Sequence, residues 1–325
     1  MCIVKSLAFF AATVVSLFVW LSRVWPLRNL PTPRPAATYE EALERLAVVQ
    51  QDGAAEVNPL CRTHLLTHGQ QVDHATILLH GFTNCPHQFH QLAVQLYEAG
   101  DNVLNVRLPR HGLADPLTDE LAYLRAEELA VQANKVIDVA HGLGRRVTVL
   151  GFSLGGVVAA WAAQIRPDLD YAFLVSPAIG IRALSPWRSR LYANLLAWLP
   201  NWYRWWDPVH KQERDGPRHA YPRFATRGLA ALLRLGCIVQ TAARRRPPVA
   251  GKTIVITNPC DPVVDNATVA ATVAAWRTHG ALIHTYEFPA DWCLIHDLMD
   301  PSQPQQQVAR VYPQLLTWIN VERRT

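Results

Sequence analysis

VTVLGFSLGGVVAAWAA, residues 147–163, passes from a β-branched and aliphatic run through Gly151-Phe152-Ser153-Leu154-Gly155-Gly156 into a long apolar run. VTVL has the length of a buried strand, and VVAAWAAQI has the length and composition of a packed helix. G-x-S-x-G at such a junction sets the serine on a sharp strand-to-helix turn that pushes its hydroxyl clear of the sheet edge. Ser153 is therefore a candidate nucleophile. Alone, it is equally a small residue at a tight crossing, and the rest of the chain has to decide.

Around that junction, apolar strand-length runs alternate with helical stretches. Strands are expected at 75–80, 103–107, 147–151, 171–175, 253–257 and 282–287. Helices are expected at about 87–99, 120–141, 154–166 and 264–279, with a last one at 305–321. Continuous β-branched runs separated by helices predict an α/β fold, a mainly parallel sheet covered on both faces. With 325 residues, half of them hydrophobic and 18% charged, the chain can bury a sizeable core and is not globally disordered.

A hydroxyl is a weak nucleophile until a base takes its proton. Of 13 histidines, only His296, in DWCLIHDLMD, lies between the last strand and the last helix, on the edge where Ser153 emerges. His284 falls inside a strand, and His80 and His111 read as satisfied structural histidines. The base needs a carboxylate to hold its tautomer and stabilise the imidazolium. Asp261, four residues past a strand end, is favoured over Asp265, which reads as the cap of the next helix. Asp291 and Asp297 are lesser candidates, too close in sequence to His296 to reach its far nitrogen comfortably. LLHGFTN, residues 78–84, ends another strand on a glycine turn, and the N–H groups of Phe82 and Leu154 are the candidate oxyanion donors.

The stretches HGF, LPRHG, GFSLGG, CDPVVD and IHD, in the order Ser153, Asp261, His296, resemble the α/β-hydrolase superfamily. The nearest branch is the carboxylesterase, monoacylglycerol-lipase and serine-aminopeptidase-like group, over roughly residues 60–322. The resemblance implies Ser153 as nucleophile, His296 as base and then acid, Asp261 as its orienter, and Phe82 and Leu154 as the oxyanion hole. It implies hydrolysis of carboxylic esters, of lipid or other apolar acyl groups, through an acyl-enzyme, with no metal or organic cofactor called for. The same residues serve an acyltransferase with a non-water acceptor, whereas a non-catalytic relative would usually lack one of the three. An epoxide hydrolase or dehalogenase would need aspartate in place of Ser153. One departure is Arg110, where the family commonly has glycine; a bulky cation there bears on the shape of the substrate pocket.

Two segments lie outside this alternation. Between Lys5 and Arg23 stand 17 uncharged residues, about 25 Å as a helix. An uncleaved membrane anchor (residues 1–25), a cleaved secretory signal leading to a secreted or periplasmic protein, and a buried core helix are all open. The length, with Trp20, Arg23, Trp25 and Pro26 following, favours the anchor. Residues 26–37 carry four prolines and read as an extended spacer before a hydrolase domain at 38–325, opened by the helix of TYEEALERLAVV. Residues 180–250 form an inserted cap of helical character, without strands, holding five of the 11 tryptophans and, from Arg182 to Ala250, 13 basic residues against three acids. Such a surface fits an anionic membrane, with a solvated arginine face over core tryptophans as the plainer alternative. No nucleic-acid recognition motif accompanies the charge, so no nucleic acid is expected. Six cysteines without a CxxC make no disulfide framework. A Cys260–Cys293 bridge is conceivable, and free thiols are favoured there.

Overall fold

The structure, a computed structural model, describes residues 13, 16, 18–51, 56–209, 211 and 216–324. Helix α1 (Tyr39–Gln51) precedes strands β1 (His64–Leu66) and β2 (Val72–Leu79), helix α2 (His90–Glu98), β3 (Asn102–Val106), α3 (Ala126–Leu143) and β4 (Gly144–Phe152). Then come α4 (Leu154–Ile165), β5 (Tyr171–Val175), α5 (Pro186–Trp198), β6 (Tyr203–Trp205), β7 (Arg223–Ala225) and α6 (Thr226–Ala243). β8 (Lys252–Thr257), α7 (Asn266–Thr278), β9 (Ile283–Glu287) and α8 (Val308–Arg324) complete the chain.

Seven strands form one sheet in the order β1-β3-β2-β4-β5-β8-β9, parallel except for β1, which pairs antiparallel at the edge. Because side chains alternate along a strand, each row across the sheet faces one side. Ile77, Val149 and Ala172 stand in register and join the core beneath α1, α3, α4, α6 and α7. One residue on, Leu78, Leu150, Phe173 and Ile254 face the opposite core with α2 and α8. Every central strand is thus buried on both faces, as the near-continuous apolar runs predict.

Several sequence expectations need correction. The expected strands include neither β1 nor the two-stranded β6–β7 pair, the latter in a cap read as purely helical. Three-residue strands are too short to carry a readable period and form only because the fold brings their partners alongside. The helix expected at 120–141 is broken: residues 120–123 make a separate 3₁₀ turn, Leu124 and Arg125 are extended, and α3 starts at Ala126. Residues 26–37 do not stand free as a spacer. Asp138 of α3 accepts the Arg34 and Ala36 amides, and Leu27, Leu30 and Ala36 pack on the core.

The membrane-anchor expectation falls mostly outside the described residues. Among those described, no helix is long and apolar enough to cross a membrane. Residues 18–21 are helical and meet the cap: the Trp20 ring lies 6.0 Å from that of Trp198, and Asn194 Nδ2 donates to the Leu21 and Arg23 carbonyls.

One polar cluster centres on a buried arginine with partly exposed partners. Arg166, at the end of α4 and fully buried, donates to Asp138 Oδ1 at 2.7 Å and to both carboxylate oxygens of Asp168 at 2.8 and 2.6 Å. Burial raises the Asp168 carboxyl, but hydrogen bonds and charge from Arg166 and His141 outweigh it and hold the group well below the usual carboxylate range. Arg166→Leu strands two carboxylates and is expected to cost about 3–5 kcal/mol in urea unfolding at pH 7. A depressed carboxylate stabilises fully above its unfolded value of about 4 and loses that contribution as pH falls towards its folded value. The gap between wild type and variant should therefore narrow below about pH 4; a constant gap down to pH 2 would count against the ion pairs.

Candidate active site

β4 ends at Phe152 and α4 begins at Leu154, so Ser153 alone makes the turn, at φ 52° and ψ −109°. A positive φ on a serine is strained, and such strain is tolerated where surrounding structure over-determines it. Here the Ser153 amide donates to the Val175 carbonyl, and its own carbonyl accepts from Val157 and Ala178. Two glycines allow the close crossing: a Cβ on Gly151 would sit 2.0 Å from the Gly155 carbonyl oxygen, and one on Gly155 would sit 1.9 Å from that of Leu79.

The loops after β8 and β9 open on the same sheet edge and deliver the other two candidates. His296 Nε2 lies 3.0 Å from Ser153 Oγ, and its Nδ1 lies 2.8 and 3.0 Å from Asp261 Oδ2 and Oδ1. Asp261 is buried, and its Oδ1 also accepts from the Val263 and Val264 amides. Burial raises this carboxyl, yet the hydrogen bond and charge of His296 and the two amides prevail, leaving it below the ordinary carboxylate value. A carboxylate so held stays ionised beside the imidazole and keeps the proton on Nδ1, leaving Nε2 to face the hydroxyl. Asp265 starts α7 and takes a hydrogen bond from Thr268.

Leu154, the first residue of α4, directly follows the serine, and Phe82 lines the same cavity. Among the described residues, neither amide has an acceptor. His80, fully buried, is pushed well below the usual histidine value by burial and by His111; its Nε2 accepts the Leu108 amide, a structural role. His284 bonds Glu322 on α8, away from the serine.

Ser153 and His296 open into a cavity of about 320 Å³. Its lining combines apolar side chains, Ile181, Trp205, Trp206, Leu229, Leu232 and Val263 among them, with polar and charged ones, Asn84, Gln88, Asp207, Lys211, Asp297 and Gln303. A larger charged cleft of about 1200 Å³, between α3 and α6, contains none of the three candidates. Arg110 lines that cleft instead of the cavity: its guanidinium pairs with Glu120 at 2.6 Å and Glu128 at 2.9 Å. Its backbone nevertheless takes the left-handed φ of 66° that glycine would adopt freely. Arg110 thus leaves the pocket's shape alone.

The cap is fastened to the Phe82 turn at Thr83, itself at φ 67°. Trp206 Nε1 donates to Thr83 Oγ1 at 2.9 Å, and the Tyr221 amide donates to the Thr83 carbonyl at 2.8 Å. Of the cap tryptophans, Trp187, Trp198, Trp202 and Trp206 are exposed, Trp198 by 72%, so they are not core residues. Several cap arginines are engaged by acids or carbonyls: Arg234 by Glu127, Arg223 by the exposed Asp119 and Arg227 by the Leu199 carbonyl.

Three features escaped sequence reading. Cys61 and Cys85 form a disulfide 24 residues apart, pinning the turn after Phe82 to the segment before β1, while Cys260 and Cys293 are free thiols. Asn258 ties the two candidate loops together: its Nδ2 donates to the Leu294 and Ile295 carbonyls at 3.0 and 3.2 Å, and its Oδ1 accepts the Cys260 amide. Gln88 and Asp297 bond at 2.7 Å. Residue spacing carries no signal for any of these, because each joins segments that meet only in the fold.

A family model described as the alpha/beta hydrolase family matches residues 76–311. The sequence matches none of the curated proteins with which it was compared. Among solved structures, one of the metagenome-derived lipolytic enzymes LipS and LipT superposes with a TM-score of 0.61 at 18% identity, covering 82% of this chain and 99% of that one. A monoacylglycerol lipase of Paleococcus ferrophilus gives 0.59 at 16%, covering 80% and 99%. A soluble variant of the Saccharomyces cerevisiae monoglyceride lipase, in complex with a substrate analogue, gives 0.56 at 14%, covering 80% and 91%. At such identities these likenesses speak to the fold.

Proposed function

The chain belongs to the alpha/beta hydrolase family, and from that premise we propose that it is a serine hydrolase cleaving carboxylic esters of apolar acyl groups through an acyl-enzyme on Ser153. The observation that carries the reading is the relay of 3.0 Å from Ser153 to His296 and 2.8 Å from His296 to Asp261, set at the mouth of an apolar cavity. Esterases and monoacylglycerol lipases among the structural neighbours support ester hydrolysis in general.

In this mechanism Ser153 Oγ attacks the ester carbonyl carbon while His296 Nε2 takes its proton. Charge moves to the carbonyl oxygen, where the free N–H groups of Phe82 and Leu154 stabilise it. The tetrahedral intermediate collapses as His296 returns the proton to the leaving alkoxide. Water, deprotonated by the same imidazole, then attacks the acyl-enzyme, and His296 returns that proton to Ser153 Oγ as the acid is released. Asp261 stays ionised throughout and stabilises the imidazolium.

The cavity sets an expectation for the acyl group. Its volume of about 320 Å³ and mostly apolar lining accept an acyl chain up to a limiting length. Each buried methylene contributes about 0.8 kcal/mol, so kcat/KM on a panel of p-nitrophenyl esters should climb about fourfold per carbon and level off once the cavity is filled. Fluorophosphonate should label Ser153. An unlabelled serine would remove the hydrolase reading, and equal rates across the panel would remove the apolar acyl preference.

Two observations support a setting. The uncharged run before Arg23 and the exposed cap tryptophans favour work beside a lipid surface. The Cys61–Cys85 disulfide favours folding in an oxidising compartment.

A further inference from the structure

Asp297 follows His296 in sequence but takes no part in holding it. Asp297 lines the cavity, and its carboxylate Oδ1 accepts from Gln88 Nε2 at 2.7 Å and its Oδ2 from Asn84 Nδ2 at 3.1 Å and Gln303 Nε2 at 2.8 Å. Gln88 is buried, on the 3₁₀ turn Pro86–Phe89. With its other end, Oε1, it accepts the Gly81 amide at 2.8 Å. Gly81 immediately precedes Phe82.

One side-chain amide therefore joins the Gly81 turn to a loop 209 residues beyond Gln88. Both of its ends are assigned without ambiguity, since only the oxygen can accept from an N–H and only the NH₂ can donate to a carboxylate. Gly81 also abuts the Phe152 ring, which in turn lies 5.1 Å from the His296 ring. Gln88 thus anchors the peptide just before the one that carries the Phe82 N–H, and the carbonyl of that second peptide, Gly81 O, accepts from the Asn84 amide at 3.2 Å and lies 2.8 Å from His80 Nδ1.

We propose that Gln88 and Asp297 are a positioning couple that holds the Phe82 N–H where it meets the developing oxyanion. The inference rests on the serine-hydrolase reading and deepens it: the loop bearing the base also sets the oxyanion donor. Neither residue touches the reacting atoms. Transition-state stabilisation depends on donors held before charge develops, so loosening the couple lowers kcat more than it raises KM.

The experiment compares Gln88→Leu, Gln88→Glu and the double variant Q88E/D297N with wild type, using a p-nitrophenyl ester and an acyl trifluoromethyl ketone that mimics the tetrahedral adduct. Gln88→Glu sets two carboxylates face to face, and Gln88→Leu removes both hydrogen bonds. Each should lower kcat by about 100-fold with KM within threefold, and raise the Ki of the ketone in parallel. The double variant reverses donor and acceptor. The carboxylate introduced at position 88 accepts from Gly81 and from the amide introduced at position 297, whose oxygen still accepts from Asn84 and Gln303. It should recover at least tenfold of the lost kcat. A purely structural role would shift the melting temperature without the parallel loss of ketone affinity.

Single variants that keep kcat and ketone affinity within threefold of wild type overturn the proposal. So does a double variant no faster than Gln88→Glu. If the single variants do not fold, the double variant decides, and its being insoluble or slow overturns the proposal. Wild-type protein that neither hydrolyses the ester nor takes a fluorophosphonate label instead overturns the hydrolase reading itself.

Discussion

Ser153→Ala lowers kcat on the best ester of the panel by about 10⁶-fold, with KM within a few-fold of wild type. The expectation follows from what one oxygen does at this position. It is the atom 3.0 Å from His296 Nε2, and without it neither the acyl-enzyme nor the proton transfer exists. The acyl cavity is lined mainly by other side chains and survives the change, so ground-state binding persists. His296→Ala should cost about as much, and the double variant no more than either alone, because residues that act as one unit are strongly non-additive. Steady-state kinetics, with mass spectrometry of the acylated protein, checks all three. A double variant slower than Ser153→Ala by a further factor of about 10³ would mean that His296 acts independently of the serine. Wild-type turnover in Ser153→Ala would end the proposal.

Gly155→Ala should destabilise the fold by more than about 3 kcal/mol, at the upper end of what overpacking costs. The added Cβ would stand 1.9 Å from the Leu79 carbonyl oxygen, 2.5 Å from its carbon and 2.9 Å from the His80 oxygen. All three are backbone atoms of the β2 end, so no side chain can swing aside. The Gly155 amide also donates to the His80 carbonyl at 3.1 Å, which pulls α4 against the strand at the point of collision. Either α4 lifts away or the turn through Ser153 opens. At about 2–4 °C per kcal/mol, the melting temperature falls by roughly 6–12 °C or more, read by circular dichroism. A variant melting with wild type would show that α4 and β2 do not cross as closely as they do in the structure.

The elbow illustrates what a local pattern can carry. Gly151, Ser153 and Gly155 lie within five residues, and their requirements concern the turn they themselves form. The flanking strand and helix are long enough to be read by period. Asp261 is harder to read, since two aspartates follow β8 and the choice rests on how far each lies past the strand end. Its 2.8 Å contact with His296 Nδ1 comes from the length of two loops, a weak but usable constraint. Arg110 goes the other way. As a sequence departure it points at the pocket, yet Glu120 and Glu128, 10 and 18 residues on, draw its guanidinium into another cleft.

The tryptophans of the cap mark a further limit. Composition says that five stand in one insertion, but not which are exposed, because α5 has no clear apolar face of its own to read. Which side meets solvent is settled by α6, and by Trp20 and Arg23 arriving from the other end of the chain.

By itself the sequence determined the alternation of buried strands and helices, the serine turn between β4 and α4, and the chain order of the three candidate groups. The strands, the helices and the turn are written in periods and turn residues that span short stretches of chain. Only the tertiary structure decided the Cys61–Cys85 bridge, the grip of Asn258 on the His296 loop, the bond between Gln88 and Asp297, and the hydrogen bonds that seat the cap on Thr83. Those pairings depend on the order in which strands enter the sheet. That order is chosen by the burial of whole faces, which no short stretch of chain encodes.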